Sequence, residues 1–333
     1  MALCWFSAQA SEGGAKLGPL PKAMEALSVN SMDFGMPSLF PNELNPEKLI
    51  SILEDAPAGL YVSTGLERSF IGAAIVPRAT GMVIIDINQK LVDFSKININ
   101  HLLMATTPEE YVHLRQGIGF SSDHERFDHQ FNLNEVEIFH GLSMVMKEYF
   151  LLPEEPGTSG VGMSSSFPYS VNYWVNHKLF NRLHAFALSD RMRALRMDFF
   201  DRNKIEKLIE MLRAHGEKVG VLDLSNVLDW LYSEVGAREA ARVFISWMKA
   251  LAPIMENDSR IVMTFARQNF EFEYVVEKYS ELSEMSGLRV VTWLMDHSSK
   301  NENVSRGRRK SSNLHRLMAP NRCENLFEFS LTY

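Results

Sequence analysis

The feature that most constrains this chain is a pair of short apolar runs, Gly59-Leu60-Tyr61-Val62-Ser63-Thr64-Gly65 and Gly81-Met82-Val83-Ile84-Ile85-Asp86. The first reads as a strand over 60–64 that breaks at Gly65 and leads into a helix predicted over 69–76, which Pro77 ends. In the second, Val83, Ile84 and Ile85 follow one another without a polar break, as a parallel strand covered on both faces requires. Asp86 closes that strand, 21 residues after Gly65. This is the opening of a doubly wound α/β domain, which binds nucleotides at the carboxyl edge of its sheet. There a glycine lets the backbone approach a ligand and an acid accepts hydrogen bonds from ribose hydroxyls. An acid at the end of a strand is also common without a ligand, so at this point Asp86 stands under both readings.

A chain of 333 residues with 46% hydrophobic content holds enough apolar side chains for a large core. Its net charge of -7 argues against general nucleic-acid binding, because a phosphate backbone calls for a field of opposite sign. Arg306-Gly307-Arg308-Arg309-Lys310 is a local basic exception, read as a solvated loop or as a patch for an acidic partner. Cys4 and Cys323 provide neither a disulfide framework nor zinc-ligand spacing, which makes a reducing, cytoplasmic setting the expectation. The N-terminal apolar run is too short, and lacks the basic start, for a signal peptide. No stretch approaches the roughly 20 apolar residues of a membrane span.

Residues 1–44 mix Gly, Ser, Pro and Met without a period and read as a loosely ordered arm resting on the body through Leu20, Met32 and Phe40. The domain is expected over 45–333, with Asn45 capping its first helix. Between 89 and 190 the pattern is mostly helical, with amphipathic stretches marked by Leu91, Phe94, Ile97 and Leu102, and by Val136, Phe139, Val145 and Tyr149. A Gly/Ser-rich loop over 153–168 and a helix over 171–187 complete what reads as a helical insertion, a candidate lid over the binding edge. The α/β rhythm then resumes: a strand at 192, a helix over 202–215 closed by Gly216, and a strand over 219–224 ending in Ser225-Asn226. Helices over 227–234 and 237–252 and a strand over 260–265 come next. A helix through Val275, Val276 and Tyr279 and strands over 288–294 and 326–333 are the last expected elements. Strands at about 60, 82, 192, 219, 260, 288 and 326 make seven, the last two read as an antiparallel pair because no helical pattern joins them.

That order resembles the class I S-adenosylmethionine-dependent methyltransferases, Rossmann-type domains whose seven-stranded, mostly parallel sheet ends in a reversed strand. Within that superfamily the chain is similar to an uncharacterised bacterial methyltransferase-like group with a Tyr-Val-x-x-Gly start, an aspartate after the third strand and Ser-Asn after the fourth. The resemblance covers roughly 45–333, interrupted by the insertion. It implies S-adenosylmethionine as cofactor and methyl transfer to a small-molecule or protein acceptor. It places Ser63, Thr64 and Gly65 beside the methionine part of the cofactor and Asp86 on the ribose. Asp198 falls on the exocyclic amine of adenine, with Phe199 over the purine face. Asp223, Ser225 and Asn226 come where the fourth strand meets the sulfonium; Asp223 and Asn226 take the acceptor-steering role of an Asn/Asp-Pro-Pro-Tyr motif, here without its prolines. The chain departs from the family in its first motif, where Gly65 is the single glycine and Ser63 stands in place of an earlier one.

Other readings stand beside these. Ser225 or Asn226 can cap the helix at 227, and Asp201 caps the helix at 202 better than Asp198. In Asp123-His124-Glu125-Arg126-Phe127-Asp128-His129 the two histidines lie five apart, off a common helical face, so a polar surface or lid contact is preferred to a metal site. Tyr173, Trp174 and His177 read as core or as pocket lining. The missing glycines also favour a second class of function, a Rossmann-fold interaction module without catalysis, one version of which is a protein delivered into another cell.

Overall fold

The computed structural model describes residues 17–28, 46–117, 133–151, 167–199, 201–266 and 272–298. The two opening runs form parallel neighbours, β1 (Gly59–Ser63) and β2 (Ala79–Asp86), with Val62 opposite Val83. β3 (Met192–Arg196) flanks β2, and β4 (Val219–Asp223) lies on the other side of β1, with Ser63 opposite Asp223. β5 (Met255–Ala266) follows β4 in parallel, and β6 (Phe272–Lys278) runs antiparallel to β5 with Val262 opposite Val276. The strand order is β3-β2-β1-β4-β5-β6. Chain direction along the sheet reverses at β1 and β4, the switch point beside which α/β proteins place their ligands.

Alternation along each strand divides the core in two. Tyr61, Met82, Ile84 and Ala194 face α2 (Glu67–Ile75), α3 (Gln89–Met104) and α6 (His177–Leu188). Leu60, Val62, Val83 and Ile85 face the opposite layer of α7 (Arg202–Ala214), α8 (Val227–Val235) and α9 (Ala237–Leu251). Every residue of α2 is buried, because α2 has the sheet beneath it and the helical layer above it. It lies so close to β1 that a Cβ on Gly72 would run into the Tyr61 hydroxyl. The short α1 (Lys48–Leu53) packs on α2.

The segment 89–190, expected as an insertion and candidate lid, supplies helices to one face of the sheet in its described parts. α3 packs on β2 and β3, α6 on α2, and α4 (Pro108–Arg115) and α5 (Leu133–Leu151) stack outside α3. Of the N-terminal arm, Leu20, Met24 and Leu27 are buried around a 3-10 helix, Lys22–Leu27. Arg193 and Lys204 hold that segment by donating to the carbonyls of Leu20 and Leu27.

Two expected elements change type. Residues 272–278, expected as helix, are strand β6: Tyr274 and Val276 pack on one core and Val275 on the other, and Val275 between Glu273 and Glu277 interrupts the alternation that would mark a strand. Residues 288–294, expected as strand, lie in α11 (Gly287–Ser298), which follows the short α10 (Tyr279–Ser283). Val290, Leu294 and Ser298 recur every four residues and bury one helical face, overriding the strand preference of the Val290-Val291-Thr292 run. The reversed strand is therefore β6, beside β5 in sequence and in space, and the described sheet has six strands. The strand expected over 326–333, the basic run 306–310, the 123–129 cluster, Met32, Phe40 and both cysteines lie outside the described residues.

Candidate functional site

The carboxyl ends of β1 and β2 are joined by one carboxylate. After Ser63 the chain turns through Thr64 and Gly65, whose φ of 88° lies in the left-handed region open to glycine, and α2 begins at Glu67. Asp86, half-buried at the end of β2, accepts from Thr64 Oγ1 at 2.8 Å and from the Gly65 amide at 3.3 Å on Oδ2. The Asn88 amide donates to Oδ1 at 2.8 Å. Burial raises the Asp86 pKa, and these donors oppose the rise. Among the described residues, a Cβ built on Gly65 would meet no atom within 4 Å. A carboxylate offers about four acceptor positions; these three bonds, with the Ile87 amide also donating toward it, engage them. Ser63 is different. It is fully buried on the α2 side of the sheet, and its hydroxyl makes no hydrogen bond among the described residues.

Across the switch point, Asp223 is fully buried and saturated. Arg68 grips it with Nε to Oδ2 at 2.8 Å and Nη2 to Oδ1 at 2.6 Å. The Tyr61 hydroxyl donates to Oδ2 at 2.6 Å and the Ser225 amide to Oδ1 at 2.9 Å. Burial, and then the Asp223 charge, push the Tyr61 pKa well up, so the phenol stays protonated. Asp223, expected to face an acceptor, thus has its acceptor positions filled and serves as the anchor of Arg68. The Arg68 guanidinium also lies 5.4 Å from the Tyr274 ring centroid, which ties α2 to the β5–β6 edge.

Beyond β4 and the buried Leu224, Ser225 and Asn226 are half-buried. Ser225 has φ 48°, a left-handed conformation that costs a residue with a Cβ about 1–2 kcal/mol, and it is held there by the Thr264 amide donating to its carbonyl at 2.7 Å. Asn226 precedes α8, yet its side chain makes no capping bond, so the carboxamide is not used as a helix cap. Asp198 lies half-buried past β3, one strand beyond Asp86. Asp201 performs the capping of α7, accepting from the Lys204 amide at 3.3 Å. Phe199 turns inward: its ring sits 5.9 Å from that of Trp247 and lines an apolar cavity of about 30 Å³ with Ile205 and Leu208. That position does not suit it to cover a purine. A larger groove, about 310 Å³, lies away from this edge, between α4 and α5 over Trp174.

The structure therefore joins Thr64, Gly65 and Asp86 by direct bonds and sets Ser225 and Asn226 at the neighbouring strand end. Sequence reasoning missed what holds this edge in place. Glu67, fully buried, pairs with the equally buried Arg115 of α4 at 2.8 Å. Its other oxygen accepts from the Tyr173 hydroxyl at 2.6 Å and from Trp174 Nε1 at 3.4 Å. The signal for Glu67 and Arg68 was present: two adjacent charges open a helix that is otherwise almost wholly apolar. Arg115 and Tyr173 carried no such signal. Tyr173 and Trp174 are buried, Trp174 also lining the groove between α4 and α5, whereas His177 is exposed.

Among the described residues no cluster of three or more metal-ligating side chains occurs, and no helix is long and apolar enough to cross a membrane. No protein-family model matches the chain, and no curated protein matches it.

Proposed function

We propose that the protein binds S-adenosylmethionine along the carboxyl edge of β1–β4 and transfers its methyl group to a small-molecule or protein acceptor. The observation that carries this reading is the Thr64–Gly65–Asp86 unit, a half-buried carboxylate bound to a left-handed glycine turn that no other described atom crowds. The cofactor, when bound, supplies a methyl group already activated on a sulfonium, so the protein has mainly to bind and orient. Asp86 takes the ribose hydroxyls in exchange for its bonds to Thr64 and the turn amides. Asp198, one strand away, is the residue that would receive the amine of adenine. Ser225 and the uncapped Asn226 carboxamide stand where an acceptor's N–H or O–H would be held and its lone pair aimed; the proton lost on transfer passes to solvent. The strained Ser225 backbone fits a site held in shape for binding.

One observation favours the second reading, an interaction module of Rossmann type without catalysis: the Arg68–Asp223–Tyr61 unit fills the space between the ends of β1 and β4 with the protein's own side chains. Calorimetric titration with S-adenosylhomocysteine decides. Saturable binding that is lost in Asp86→Ala is the expected result. No heat with folded wild-type protein removes the methyltransferase reading and leaves the interaction module.

A further inference from the structure

The turn that carries Thr64 and Gly65 is steered from the helical layer. Only Leu66 separates Gly65 from Glu67, and the α2 N-terminus has no side-chain cap. In place of a cap, two consecutive residues hold it from two directions. Arg68 reaches Asp223 in the sheet, and Glu67 reaches Arg115, Tyr173 and Trp174 in the helical layer. The layer's grip is itself constrained. Arg115 donates from Nε to Ser143 at 3.1 Å and from Nη1 to Asn98 at 2.9 Å and Tyr111 at 3.1 Å. Its guanidinium carbon lies 4.5 Å from the ring centroids of both Phe139 and Trp174. So placed, the cation cannot swing away without leaving buried donors unpaired. Asn98 belongs to α3, the helix that Asn88 caps just past Asp86. Both halves of the candidate site thus lead back to one buried polar cluster.

We propose that Glu67 and Arg115 are positioning residues for the Thr64–Gly65–Asp86 edge, so that docking of the helical layer sets the geometry in which that edge receives its ligand. The ligand part of this inference rests on the function proposed above; the mechanical part does not.

The test uses the full chain with Arg115→Met, the double variant Glu67→Gln/Arg115→Met, and the milder Tyr173→Phe, which removes one bond to Glu67 and keeps the protein folded if Arg115→Met does not. Three quantities are measured: unfolding midpoint in urea, amide exchange at Gly65 with the carbon-13 titration of the Asp86 carboxyl, and affinity for S-adenosylhomocysteine. The expected result is Gly65 exchange at least tenfold faster in Arg115→Met, about threefold faster in Tyr173→Phe, and an upward move of the Asp86 titration as Thr64 and Gly65 withdraw. Affinity falls in parallel. The double variant recovers stability without recovering Gly65 protection, which a purely structural role would not produce. Unchanged Gly65 exchange and Asp86 titration in folded variants would overturn the proposal. Wild-type protein that binds no S-adenosylhomocysteine but shows the Gly65 and Asp86 changes upholds the positioning role and refutes only the choice of ligand.

Discussion

Removing Arg68 tests whether Asp223 is an anchor or a reacting group. In Arg68→Met the Asp223 carboxylate stays fully buried but loses both guanidinium bonds, at 2.8 and 2.6 Å, and keeps only Tyr61 and the Ser225 amide. Breaking a buried pair from one side typically costs about 3–5 kcal/mol, because a charge is left uncompensated in a poorly polarisable interior. Against a usual total of about 5–15 kcal/mol, that is a large share of the stability. At about 2–4 °C per kcal/mol it lowers Tm by roughly 10 °C. Removing both charges in Arg68→Met/Asp223→Leu returns stability to within about 2 kcal/mol of wild type, since no buried charge then lacks a partner. Urea unfolding followed by tryptophan fluorescence measures each corner of this cycle, with equal denaturant slopes confirming a common unfolding reaction. A single-variant cost below about 1 kcal/mol, or a double variant as unstable as the sum of its parts, refutes the anchoring argument. Loss of methyl transfer in an Asp223→Asn protein of unchanged stability would return the carboxylate to a chemical role.

Two further outcomes follow from the same geometry. Asn176 caps α6 by accepting from the amides of Lys178 and Leu179, whereas Asn226 makes no such bond at α8; alanine at 176 is therefore expected to cost about 1 kcal/mol and alanine at 226 less than about 0.5. Equal costs by urea unfolding would show that Asn226 supports its helix. His101 is fully buried, its ring 5.7 Å from that of His140, and burial first, then Arg115 and His140, hold its pKa well below the usual imidazole value. The folded pKa is depressed, so the unfolded chain takes up the proton first. Stability from the neutral ring is present above the unfolded pKa and is lost progressively as pH falls below it, from about pH 7 toward pH 5. Stability measured across that range should fall less in His101→Leu than in wild type; identical pH slopes would refute the assignment.

The sequence by itself determined the centre of the sheet. Leu60–Val62, Val83–Ile85 and Val219–Leu222 are apolar on consecutive residues because both faces of a central parallel strand are covered, and that pattern is local. The Gly65-to-Asp86 spacing and the Asp201 cap were legible for the same reason: each is satisfied within a turn or within one β–α–β unit. Tertiary structure decided the rest. The 272–278 and 288–294 segments exchanged type because short apolar runs fit either period, and only their neighbours, β5 for one and α9 for the other, chose between them. The site followed the same division. Asp86 could be placed from its position after β2, whereas the fates of Asp223 and Phe199 depended on Arg68, 155 residues away from Asp223, and on Trp247. Arg115 was illegible for a related reason. A charged residue on a helix reads as solvent-exposed, and what buries it, a carboxylate on α2 with an aromatic ring on either side, is assembled only when the helical layer folds onto the sheet.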